Sequence, residues 1–148
     1  MKRLFLDTNV ILDLLAQRNP FYESIAKIAT LADQKKVILV ATPISFTTAE
    51  YILAKFDSPY NALLKLRKFK IICEVCTVDD EIIEKALNAD FPDFEDAVQY
   101  FSALKTDSTV IITRNGKDFD RSSIPVLTAD EFLRSLPQQY LLRSNEIL

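Results

Sequence analysis

The 148-residue chain contains no histidine and a single glycine, Gly116. Without histidine, every mechanism built on an imidazole base, nucleophile or metal ligand is excluded. One glycine cannot form a P-loop or a glycine-rich dinucleotide fingerprint, each of which needs several in a short run. No apolar run is long and charge-free enough to span a bilayer, and charges interrupt the first apolar segment too early for a signal peptide. A cytoplasmic protein with no membrane attachment is therefore expected. The chemistry left to the chain is that of carboxylates, hydroxyls, amides, lysine and arginine.

Cysteine is scarce too. Cys73 and Cys76 form a C-x-x-C in "KIICEVCTV", a spacing that invites a redox or zinc reading. Two cysteines without histidine cannot complete a typical structural zinc site. The segment reads as a strand, in which positions three apart face opposite sides, so both are expected to be small core hydrophobes. The net charge of −3 argues against simple electrostatic binding of nucleic acid. Two divalent cations held by clustered acids would reverse that sign.

What is present is strongly patterned. "LFL" (4–6) reads as a short strand, and Val10, Ile11, Leu14 and Leu15 follow at helical spacing. "NPFYESIAKIATLADQKK" is a helix, "VILVA" (37–41) a strand buried on both faces, and "ISFTTAEYILAKF" and "PYNALLKLRKF" two further helices. "IICEV" is a strand; "TVDDEIIEKALNAD" and "DFEDAVQYFSALKT" are helices; "STVIIT" and "IPVL" are the last strands. "TADEFLRSL" opens with a capping box from Thr128 to Glu131. Strands alternating with helices predict a three-layer α/β/α sandwich with a short, mainly parallel sheet. One domain over residues 1–148 is expected, with its core in 2–133 and a tail from Pro137 that extends or packs on a partner.

In such sheets, ligands sit beyond the carboxyl ends of the strands. Asp7 ends the first strand, and Asn115 and Asp118 follow "TVIIT" in the loop "TRNGKDF". If the two strands are neighbours, these residues meet at one edge. Asp7 is there either a helix cap or the start of a site. Glu50 borders an apolar helical stripe, where it is either costly to bury or the partner of Thr47 in a capping box. Asp93, Asp96 and Tyr100 share one helical face; periodicity alone reads it as a solvated face with Asp93 as N-cap. The basic run "KLRKFK" (65–70) reads as a solvated helix end, the alternative being a phosphate-binding patch.

Four segments occur in order: "LFLDTNVILDLL", "TAEYI", "DFEDAVQYFSA" and "VIITRNGKDF". Together they resemble the PIN-domain family, especially the VapC-like toxins of bacterial toxin–antitoxin pairs, over residues 2 to about 133. The resemblance implies a Mg²⁺- or Mn²⁺-dependent endoribonuclease with one or two ions, leaving a 5′-phosphate and a 3′-hydroxyl. It carries the metal-binding and catalytic acids onto Asp7, Glu50 and Asp96, with Asp93 as an auxiliary ligand. Thr8, Asn9 and Thr113 match the polar residues that support the site. Many relatives have an acid directly after the threonine-arginine pair, where this chain has Asn115. Asp118, three residues on, is the candidate to supply that carboxylate. Arg114 and Lys117 are the candidate contacts for RNA phosphates. A small antitoxin and a homodimer are the implied partners besides RNA.

Carboxylates gathered without histidine or thiolate select hard cations. Two other readings stay open on the residues themselves. One is a PIN-like binding or assembly module without nuclease activity, permitted by Asn115. The other is a phosphohydrolase with Asp7 as an aspartyl nucleophile, weakened by Asn9 at the position where such enzymes place a second acid.

Overall fold

The computed structural model describes residues 1–140. Its centre is a five-stranded, wholly parallel sheet of order β3-β2-β1-β4-β5. The strands are β1 (Lys2–Leu6), β2 (Val37–Ala41), β3 (Cys73–Val75), β4 (Val110–Ile112) and β5 (Val126–Leu127). β1 lies in the middle, with Leu4 facing Leu39 on one side and Val110 on the other. The chain thus winds outward in both directions from its first strand.

Alternation along the strands feeds two separate cores. Leu4, Leu6, Leu39, Ala41 and Ile112 point to the face covered by α1 (Thr8–Leu15), α2 (Tyr22–Asp33) and α7 (Ala129–Arg134). Phe5, Val40 and Ile111 point to the other, covered by α6 (Phe94–Lys105) through Tyr100 and Ala103. A strand buried on both faces needs apolar residues at every position, which is why "VILVA" is continuous rather than alternating. The three-layer α/β/α arrangement with a parallel sheet is as expected. Cys73 packs into the first core and Cys76 against the second, both as free thiols.

Outside this frame, α3 (Pro43–Phe56) and α4 (Pro59–Ile72) form a helical hairpin, and α5 (Asp80–Leu87) packs on α6. Three expectations are corrected. Ile71 and Ile72 finish α4 instead of opening β3: the helical register from Ala62, Leu66 and Phe69 continues past the point where two isoleucines read as strand. α3 begins at Thr42-Pro43, with Thr42 capping Ser45 N–H at 3.1 Å and proline fixing the first turn. Thr47 consequently lies inside the helix and donates to the Ile44 carbonyl, so no Thr47–Glu50 capping box exists. The capping box at Thr128 and Glu131 is formed as expected. The tail expected from Pro137 lies mostly outside the described residues.

Candidate functional site

The site forms where β1 and β4 end side by side. Asp7 N–H donates to the Ile112 carbonyl at 3.0 Å, continuing the ladder one residue past the strand. Asp7 occupies the N-cap position of α1, yet its side chain makes no capping hydrogen bond. Instead the carboxylate, almost fully buried, turns across the sheet edge. Thr113 Oγ1 donates to Oδ2 at 2.8 Å and Gln99 Nε2 donates to Oδ1 at 3.1 Å. Of the two readings of Asp7, cap or site, the geometry excludes side-chain capping.

Gln99 is the pivot. Its amide nitrogen also lies 3.4 Å from Asp96 Oδ1, and its carbonyl accepts from Thr8 N–H at 3.3 Å. One buried amide thus links the first turn of α1 to two carboxylates. Thr113 Oγ1 in turn accepts Asn115 N–H at 3.1 Å, fixing the start of the loop after β4. A second network runs from α3 to α6: Thr42 Oγ1 donates to Ser45 Oγ, which is 2.7 Å from Thr8 Oγ1, and Thr8 donates to Glu95 Oε1 at 2.8 Å. Since the single Thr8 hydroxyl proton goes to Glu95, Ser45 donates to Thr8, and the hydroxyls point one way toward the carboxylate.

The face carrying Asp96 and Tyr100 is only partly solvated: Tyr100 is buried and Asp96 half-buried, while Asp93 at its start is exposed. Asp93 does cap α6, accepting Asp96 N–H at 3.1 Å. Burial first, then the charges of Asp7, Asp93, Asp118 and Glu95, push the Asp96 carboxyl up to about 7 from an ordinary value of 3.8. Asp118, on the 3-10 turn Gly116–Phe119, therefore bears on the same spot from the loop side.

The remaining sequence candidates are placed differently. Glu50 is half-buried on α3. Asn9 is exposed and contributes its carbonyl, which accepts from Arg18 Nη2. Asn115 and Lys117 are exposed. Arg114 is engaged inward: its Nε lies 2.8 Å from Asp13 Oδ2, and its guanidinium stacks on Phe21 at 4.1 Å from the ring centroid.

Gln99, Glu95, Ser45 and Asp13 were not singled out in the sequence. Gln99, a neutral amide within a helix, carries no local signal. Asp13 had the same signal as Asp7, an acid inside an apolar run. It is 1 % exposed and accepts from both Arg18 Nε, at 3.0 Å, and Arg114. Burial pushes its carboxyl up while the two arginines pull it down.

Among the described residues, no three acidic or cysteine side chains form a ready-made cage for an ion. The donor chemistry still fits a hard cation. Mg²⁺ characteristically takes one or two carboxylates and completes its shell with water and phosphate. Asp7 and Asp96 provide such a pair, with the charges of Asp93, Asp118 and Glu95 also acting on Asp96.

A parallel sheet with carboxylates gathered at its carboxyl edge defines an α/β domain of doubly wound type. The chain belongs to the PIN-domain family, whose sequence model matches residues 3–117. Among solved structures, the fold resembles VapC20 of Mycobacterium tuberculosis, described as a sarcin-ricin loop cleaving toxin (TM-score 0.65, 15 % identity, covering 82 % of this chain and 95 % of that one). It also resembles VapBC-1 of nontypeable Haemophilus influenzae (0.63, 16 %, 86 % and 98 %). A third likeness is to VapBC2 of Rickettsia felis bound to a promoter DNA fragment (0.62, 16 %, 84 % and 96 %). No curated protein sequence matches the chain.

Proposed function

We propose that this PIN-domain protein is a Mg²⁺- or Mn²⁺-dependent endoribonuclease and the toxin of a toxin–antitoxin pair, acting in the cytoplasm on single-stranded or looped RNA. The observation that carries the reading is the Asp7–Gln99–Asp96 unit, two carboxylates tied by one amide at the carboxyl edge of the sheet. Asp7 and Asp96 would hold the ion, with Glu50, Asp93, Asn115 and Asp118 as the further candidate ligands. Bound there, such an ion supplies positive charge for the phosphodiester transition state and activates water for in-line attack. The chain's own part is to hold Asp7 rigid through Thr113 and Gln99, and to keep charge concentrated at Asp96. Lys117, in the loop beside the site, pairs with no acid among the described residues; Arg114 supports the loop from within. A homodimer and a small covering antitoxin complete the reading. No helix among the described residues is long and apolar enough to cross a membrane.

The test is cleavage of RNA by purified, antitoxin-free protein in Mn²⁺, in Mg²⁺ and in EDTA, with Asp96→Asn alongside. Metal-dependent cleavage that disappears in the variant is the expected result. Cleavage that persists in Asp96→Asn overturns the site. Absence of both cleavage and calorimetric metal binding favours a nuclease-dead binding module, the reading that Asn115 permits.

A further inference from the structure

A cavity of about 380 Å³ lies among α1, the start of α2 and the start of α7, beside the loop that follows β4. None of the acids of the site lines it. Arg114, which does, directly follows Thr113, the residue that holds Asp7. Val10 and Ile25 give the cavity an apolar wall, and Ser24, Thr128 and Asp130 add polar groups. Its size falls in the range of small-molecule sites. The unusual feature is the Arg114 guanidinium. Asp13, 1 % exposed and lining the same cavity, pairs with its Nε at 2.8 Å, and the Phe21 ring carries it at 4.1 Å from the centroid. The two are a planar pair fixed before any ligand arrives. Both keep open surface: the Arg114 side chain is 34 % exposed and Phe21 40 %. Guanidinium planes and aromatic rings are the surfaces on which proteins receive unstacked RNA bases.

We propose that this cavity receives one unstacked base of the RNA substrate, which continues the Phe21–Arg114 stack and turns its polar edge to Ser24, Thr128 and Asp130. Charge argues against a phosphate there, because two carboxylates, Asp13 and Asp130, line the cavity against one cation. A cationic side chain of a protein fits no better. Both Asp13 oxygens are engaged, Oδ1 by Arg18 and Oδ2 by Arg114, and Arg114 already occupies a face of Phe21 that a cation would take. A neutral base needs neither charge. The inference rests on the RNA reading of the site for the source of the base, and it assigns to Arg114 a base in place of a phosphate.

The experiment uses the full chain in EDTA, so that binding is read without cleavage. A fluorescein-labelled adenosine hexaribonucleotide is followed by anisotropy, against an abasic ribose-phosphate oligomer of the same length. The hexamer is expected to bind about fivefold more tightly or better. Arg114→Lys keeps a charge opposite Asp13 and loses the planar face. This variant and Phe21→Ala should each weaken the hexamer about fivefold or more and leave the abasic oligomer unchanged. Circular dichroism melts of both variants confirm folding. Equal or absent binding of the two oligomers, or no effect of either variant, overturns the proposal and leaves the nuclease reading to its own cleavage test. Equal weakening of both oligomers by Arg114→Lys makes it a phosphate contact and overturns the proposal too. So does free adenosine that competes as tightly as the hexamer, which would make the cavity a site for a nucleoside ligand. Base-dependent binding lost in both variants, alongside no cleavage in Mn²⁺, keeps the base site and removes the nuclease.

Discussion

Gln99 and Asp7 are 92 residues apart in the chain and joined by a buried hydrogen bond of 3.1 Å. The amide is satisfied on both sides, giving N–H to Asp7 and taking one from Thr8. Replacing it by leucine leaves a buried carboxylate oxygen and a buried backbone N–H without partners. Gln99→Leu is expected to cost about 1–3 kcal/mol in urea unfolding and to weaken Mn²⁺ binding by calorimetry. A variant of unchanged stability would mean that water takes over both bonds.

Asp96 gives the protein a definite pH signature in divalent-free buffer. The folded state keeps its proton up to about pH 7, whereas an ordinary aspartate releases it near 3.8. Folding therefore takes up a proton between these values. The contribution is complete below the lower value and is lost as pH rises through the upper one. Relative to Asp96→Asn, the wild-type melting temperature should fall between about pH 4 and pH 8, and Mg²⁺ should restore it at the alkaline end. A difference that is flat with pH would refute the raised pKa.

Asp13 accepts from two arginines on different segments, and Arg18 also donates to the Asn9 carbonyl. The carboxylate thereby ties the first turn of α1 to the loop that begins at Thr113. Asp13→Ala removes the only buried acid in this group and leaves two guanidiniums, each about a third exposed and able to rehydrate. The expected loss is about 1–3 kcal/mol, measured by denaturant unfolding. No measurable loss would show that the arginines hold their places without it.

Asp118 tests the loop side of the site. Its charge acts on Asp96 across the crevice, so Asp118→Asn should lower the Asp96 pKa in an NMR titration and reduce RNA cleavage only partially. Full activity would leave the fourth position to Asn115 or empty.

The sheet was legible because its strands are buried on both faces and so spell unbroken apolar runs; the parallel order followed from helices lying between them. Element ends were less so. Ile71 and Ile72 look like strand, and only the position of Phe69 on the inner face of α4 shows that the helix carries on. Asp7 stood out because an acid interrupts apolar sequence. Gln99 did not, since a neutral amide within a helix carries no charge or periodic anomaly; its role exists only once β1 and α6 are side by side. The solvated-face reading of Asp96 fell short for a related reason. Two acids beside an aromatic look like surface until the packing of Tyr100 against the sheet is known.

The winding of the sheet also fixes when the crevice can exist. β1 is synthesised first and occupies the centre, but Thr113, which holds Asp7, comes 106 residues later. A nascent chain that has not reached Phe94 carries Asp7 with neither Gln99 nor Thr113 beside it. The acidic crevice thus forms late in synthesis, and whatever activity it has begins only when the last third of the protein has folded against the first.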